Sequence, residues 1–166
     1  MQRPTVTTGL IAFLLLTSLA ALAELQRSDT KESLRGLSGV YVISQLIDVQ
    51  PEGLTTDGIN KMVKAALAKA KIAVDAEPKR DNGDANLSIT VDTISQPQLG
   101  VYAFTVEVAV TQNVQLARQR NSTQVSARTW SKTIQGITTP DRIDVIEQAL
   151  KQGLDRFAAD YHAVNP

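Results

Sequence analysis

The sequence predicts an α+β fold: a two-layer sandwich with two helices packed on one face of a mostly antiparallel four- to five-stranded sheet, in the order β-α-β-β-β-β-α. Three observations carry this. Residues 56–71 and 139–162 each repeat apolar residues at three- and four-residue steps, the signature of a helix with one buried stripe. Leu87, Ile89 and Val91, and then Tyr102, Phe104, Val106, Val108 and Val110, alternate with polar neighbours, the signature of strands with one buried face. Both kinds of element must hide their apolar side, and the simplest arrangement puts both helices over the same side of the sheet.

Taken in order, residues 24–37 ("ELQRSDTKESLRGL") form a polar leader without a sustained apolar stripe, and a single α+β domain spans 38–166. "GVYVISQLI", from Gly39, is apolar on both faces, which predicts a strand in the middle of the sheet. "VQPEGL" turns the chain. Thr55 caps the first helix by accepting from a free N–H of its first turn. Ile59, Met62, Val63, Ala66, Leu67 and Ala70 form its stripe, and Gly58 weakens it by about 1 kcal/mol relative to alanine. Residues 72–74 ("IAV") read as a short strand, and Pro78 with Asn82-Gly83 marks a turn. The 87–91 strand, a "SQPQLG" turn and the long ribbon from Leu99 to Leu116 follow. "ARQRNS" is a polar tip, from which "TQVSARTWSKTI" returns. Strands typically run about 5–6 residues, so this ribbon is expected to bend or carry a bulge. Pro140 fits the first position of the last helix, whose stripe is Ile143, Ile146, Leu150, Leu154, Phe157 and Tyr161.

Residues 1–23 read as a cleaved secretory signal: Arg3, then an apolar run over 10–23, closing on Ala21-Leu22-Ala23. The run is about 14 residues, short of the ~20 a spanning helix needs. The expected destination is beyond the inner membrane, in the periplasm, or alternatively outside the cell or at a membrane surface. The 166 residues contain no cysteine, which removes disulfides, thiolate nucleophiles, sulfur-ligated metals and the acylated cysteine of a lipoprotein. No stable membrane anchor is therefore expected after signal cleavage. Seventeen basic residues balance seventeen acidic ones, so the footprint of a nucleic-acid binder is missing. Aromatic residues make up 4%, so the core must be mostly aliphatic.

"LRGLSGVYVISQLI", "EGLTTDGI", "LGVYAFTVEVAVTQNVQLAR", "ARTWS" and "FAADYHAVNP" together resemble a family of small exported bacterial proteins of unassigned function. The resemblance covers roughly residues 34–166 and carries no catalytic or binding residue. The element order is also similar to the N-terminal domain of the Tol-Pal translocation protein and to auxiliary lipoproteins of envelope transporters. That is an analogy of fold, and fold does not fix function.

Catalytic chemistry finds few candidates. The only histidine, His162, falls at the end of the last helix, where an imidazole interacts favourably with the C-terminal dipole. There is no G-x-S-x-G elbow. Asp92 and Glu107 share the polar side of the sheet, but a general acid needs a pKa raised by burial, and solvated sheet residues do not have it. "DNGD", at 81–84, lacks the spacing of a calcium loop, and Gly36-Leu37-Ser38-Gly39 precedes a strand where a phosphate loop would follow one. Asn86-Leu87-Ser88 and Asn121-Ser122-Thr123 match the glycosylation pattern by coincidence in a bacterial chain. No catalytic residue, cofactor or metal is expected.

Trp130 has two readings. It joins the core if it shares a face with Ile134; one residue of slip puts it on the open face between Arg128 and Lys132, as a binding anchor. The open face would also carry Thr105, Glu107, Thr111, Ser88, Thr90 and Asp92. The first helix is basic (Lys61, Lys64, Lys69, Lys71). The last is rich in acids (Asp141, Asp144, Glu147, Asp155, Asp160, against Arg142, Lys151 and Arg156). The helices either complement each other or leave a basic strip for anionic headgroups or an acidic partner. The expected function is a non-catalytic envelope module that binds another envelope protein through its open sheet face or a strand edge, using Trp130, Arg128, Lys132, Thr105 and Glu107. The alternatives are a small-molecule or lipid carrier with a pocket between helices and sheet, and a carboxylate hydrolase. Oligomeric state is not legible.

Overall fold

The computed structural model describes residues 30–48, 51–78, 85–116 and 125–166. The predicted signal segment, the 81–84 turn, the polar tip and the sequon at Asn121 lie outside the described residues. A helical turn at 30–32 leads into β1 (Tyr41–Asp48), α1 (Thr56–Lys69), β2 (Ala85–Gln96), β3 (Val101–Val114), β4 (Val125–Thr138) and α2 (Asp144–Val164). The strands lie in the order β1-β2-β3-β4. β1 runs parallel to β2, and the other two pairings are antiparallel. This is the predicted α+β class, an open mixed sheet with its helices on one side.

Alternation places Leu87, Ile89 and Val91 of β2 and Phe104, Val106, Val108 and Val110 of β3 in the core. The helices close over them with Ile59, Val63 and Leu67 of α1 and Ile146, Leu150, Leu154 and Phe157 of α2. α1 is as predicted at its start: Thr55 Oγ1 accepts from Gly58 N at 3.1 Å. α2 begins later than Pro140. Arg142 N bonds Thr139 O, and the Thr138 hydroxyl donates to Arg142 O at 2.6 Å, so residues 139–143 are spent on a turn.

Gly153 permits the helix layer to approach the sheet, and Gly136 leaves room for the Phe104 ring of the neighbouring strand. A Cβ built on Gly153 would sit 2.7 Å from Val108 Cγ2, and one on Gly136 would sit 2.6 Å from Phe104 Cζ. Both neighbours are buried and packed, so neither can yield cheaply.

Three expectations need correction. β1 lies at the sheet edge, not in its middle. Its two-sided apolarity reports its two faces, Val42 and Leu46 toward the helices and Ile43 and Ile47 on the other side, and says nothing about its edges. Residues 72–74 form no strand; Val74 makes one parallel bridge to Val40. The core also begins inside the segment read as a polar leader, because Leu34 and Leu37 are buried in it. Tyr161 OH donates to Leu37 O at 2.7 Å, and the Asn165 amide accepts from Gly36 N and donates to Leu34 O.

Gly153→Ala should lower stability in urea unfolding by about 1–3 kcal/mol despite alanine's better helix propensity, because the methyl overpacks against Val108. With Val108→Ala in the same chain the loss should be smaller than the sum of the two single losses, since the second change makes room for the first.

Candidate functional site

β4 carries a bulge. Val110 pairs with Trp130 but Thr111 pairs with Arg128, so Thr129 is an extra residue. The bulge separates residues that simple alternation would put together. Trp130 points into the helix layer and is 3% exposed. Its ring meets Phe157 edge-on at 5.4 Å, and its Nε1–H donates to Asp160 Oδ2 at 3.1 Å. Asp160, itself buried, is also held by Arg156 through Nε at 2.8 Å and Nη2 at 2.6 Å. The tryptophan is therefore a core residue with its polar atom satisfied, and the reading of an exposed anchor flanked by cations is corrected. Lys132, opposite core-facing Val108, belongs to the helix side at the sheet margin. Arg128 is on the other side, where its Nη1 pairs with Glu107 Oε1.

The open face keeps Glu107, Thr105 and Arg128 of the predicted set. Gln135 Nε2 approaches Thr105 Oγ1 at 3.4 Å. Asp92 and Glu107 occupy adjacent strands and adjacent rows, but Glu107 is engaged toward β4 by Arg128, so the two carboxylates do not converge. Among the described residues no group of three acids or histidines is placed to hold a metal. His162 Nε2 lies 2.7 Å from Ala70 O and ties α2 to the end of α1.

The face holds an apolar patch that the predicted set omits. Ile94 of β2 lies beside Ala103 of β3, which lies beside Ile137 of β4, in one lateral row. Ile94 is 51% exposed and Ile137 70%; Leu99, in the adjacent β2–β3 turn, is 74% exposed. Ile47 of β1 flanks the next row, opposite Asp92. Beside the row is a depression of about 180 Å³ with Asp92, Ile94, Ala103, Thr105, Gln135 and Gly136 around it. Ala103, with only a methyl group, leaves it open between Ile94 and Ile137. Asp92 Oδ1 is buried at its rim and has no hydrogen-bond partner among the described residues.

A signal for the patch is present in the sequence. On β2 the alternation inverts at Thr93-Ile94: Thr93 is buried and Ile94 faces out. On β4 it inverts at Ile137-Thr138 in the same way, and the pairing brings both inversions to the same end of the sheet. Directly after β4 the chain is acidic. The Thr139 hydroxyl holds the Asp141 carboxyl below the usual carboxylate range, and the Arg142 guanidinium does the same for Asp144.

On the covered side, the space lined by Leu54, Ile59, Met62, Val91, Ile146 and Leu150 is about 20 Å³, room for about one water. A larger groove, of about 450 Å³, opens between the two helices and is lined by Met62, Ala66, Leu154 and Ala158. No helix among the described residues is long and apolar enough to cross a membrane.

No family model and no curated relative matches the chain. Among solved structures it is similar to a minor lipoprotein from Acinetobacter baumannii, at 13% identity and a TM-score of 0.27, over 74% of this chain and 87% of that one. It is also similar to an uncharacterized protein, at 16% identity and a TM-score of 0.32, over 77% of this chain and 83% of that one. Likeness at this level transfers no function.

Trp130 fluorescence should be blue-shifted and resist iodide quenching. Asp160→Ala should cost about 2–3 kcal/mol, because it strands both the indole N–H and the Arg156 guanidinium; an unchanged midpoint would show that neither bond matters. In a carboxyl-resolved NMR titration the Asp144 midpoint should lie below 3.8 and rise toward that ordinary value in Arg142→Ala. The sign follows from the lowered pKa: the charged form is the one favoured in the fold, so the benefit is present above the ordinary value and lost as the pH falls through the depressed one.

Proposed function

We propose that this chain is a non-catalytic, exported module of the cell envelope that binds another envelope protein through the open face of its sheet. The supporting observation is the row Ile94–Ala103–Ile137, apolar and uncovered on a face whose remaining rows are largely polar. Isolated exposed apolar residues are ordinary, but a contiguous row beside a depression is the form of a protein-binding surface. A partner's apolar side chain fills the depression beside Gly136, and a donor from the same partner satisfies Asp92 Oδ1. Glu107 and Arg128, paired with each other, and Thr105 with Gln135 form a polar rim that fixes orientation. Export rests on the apolar 10–23 run and its Ala21-Leu22-Ala23 close.

A photo-crosslinking side chain at Ile137 should give a discrete heavier adduct in intact cells, identified by mass spectrometry as another envelope protein. The same side chain at Gln152, exposed on the helix side, should not give that adduct. Ile94→Asp should abolish it while leaving urea unfolding of the purified protein within about 0.5 kcal/mol, as expected for an exposed site. Adducts equal at both positions, or indifferent to Ile94→Asp, would overturn the reading.

A further inference from the structure

We infer that the free edge of β1 receives an extended acidic segment of another protein, which adds to the sheet as a fifth strand beneath the lysines of α1. This surface is separate from the open-face patch and does not depend on it.

The edge is uncovered along most of its length among the described residues. Val40 bonds outward, its N–H to Ala73 O at 3.0 Å and its carbonyl from Asp75 N at 2.9 Å. Backbone groups alternate in direction along a strand, so Val42, Ser44 and Leu46 present their N–H and C=O groups outward in the same way, and the 73–75 segment does not reach them. Natural edge strands are usually protected by lysine, proline or a bulge. β1 reads YVISQLID, with no charge before Asp48, no proline and an unbroken register to β2. Such an edge calls for a covering strand.

The charge above it selects the occupant. α1 turns Lys64 and Ala68 toward the edge, over a groove of about 660 Å³ that Tyr41, Val42 and Val74 also line, with Asp75, which has a partner of its own, at its end. Lys61, Lys64 and Lys71 are exposed, and no ion pair engages them among the described residues. Lys71 even occupies a left-handed position (φ 56°). There Ile72 N bonds Leu67 O and Lys71 N bonds Ala68 O, a helix ending in which glycine would be unstrained. Lys64 lines the groove, so an acidic side chain on the helix side of the added strand meets it there, with Lys61 and Lys71 adding positive charge farther along.

A second copy is a poor occupant. Antiparallel pairing of two β1 edges about a two-fold axis would leave both helix layers on one side and set one lysine row against the other. A lipid surface supplies anionic charge but no backbone groups for Val42, Ser44 and Leu46.

The test uses an eight-residue synthetic peptide that alternates glutamate with valine and threonine, and its lysine counterpart. By fluorescence anisotropy the acidic peptide should bind and slow hydrogen exchange at Val42, Ser44 and Leu46, and the basic one should bind at least about tenfold more weakly, as loss of several ion pairs implies. Lys61→Glu with Lys64→Glu and Lys71→Glu should reverse that preference. Ser44→Pro removes one outward N–H without touching the β1–β2 bonds, and Ser44 Oγ has no hydrogen-bond partner among the described residues, so the fold should survive and binding of either peptide should fall. Equal binding of the two peptides, binding indifferent to Ser44→Pro, dimerisation that Ser44→Pro abolishes, or retention on phosphatidylglycerol vesicles that Ser44→Pro does not alter would each overturn the inference. Ile94→Asp should leave peptide binding unchanged, which separates this result from failure of the open-face reading.

Discussion

The contact of α2 with β3 at Gly153 and Val108 sets the spacing of the two layers. A helix that must accommodate even one methyl at that point would ride higher on the sheet. At the observed spacing Phe157 meets Trp130, and Asp160 comes within reach of the indole N–H. The same spacing leaves only about 20 Å³ between Leu54, Val91, Ile146 and their neighbours. The aliphatic composition fits this arrangement, since few large rings have to be accommodated.

What was legible in the sequence divides by the range of the interaction responsible. Thr55 and the α1 stripe were readable because capping and helical periodicity are local. The burial of Val106, Val108 and Val110 was readable because a strand has only two faces. The place of β1 was not, because pairing at its edges depends on partners far along the chain. The side taken by Trp130 is decided by the bulge at Thr129, since one inserted residue exchanges the faces. Leu34 and Leu37 leave no periodic signal because two leucines on one short turn make no repeat, and what recruits them is Tyr161 and Asn165, far along the chain.

The candidate site was only half legible for a related reason. Thr105, Glu107 and Arg128 are polar and face outward, yet Glu107 and Arg128 pair with each other and Thr105 accepts from Gln135. The more informative positions are those where the pattern fails. Ile94 and Ile137 stand where a polar residue belongs, and Thr93 and Thr138 stand where an apolar one does. Either inversion alone is the ordinary irregularity of a strand end. Their meeting in one row through Ala103 requires knowledge of the β2–β3–β4 register, which the sequence does not state outright.

Asn165 grips the carbonyl of Leu34 and the amide of Gly36 while its own backbone N–H closes the last turn of α2. The two ends of the described chain are thus buckled to each other, and neither can fray alone. A pull applied ahead of Thr30 is delivered straight to the tail of α2, loading that helix along with the strand beneath it. Load taken up at Leu34 is therefore shared with the last turn of α2.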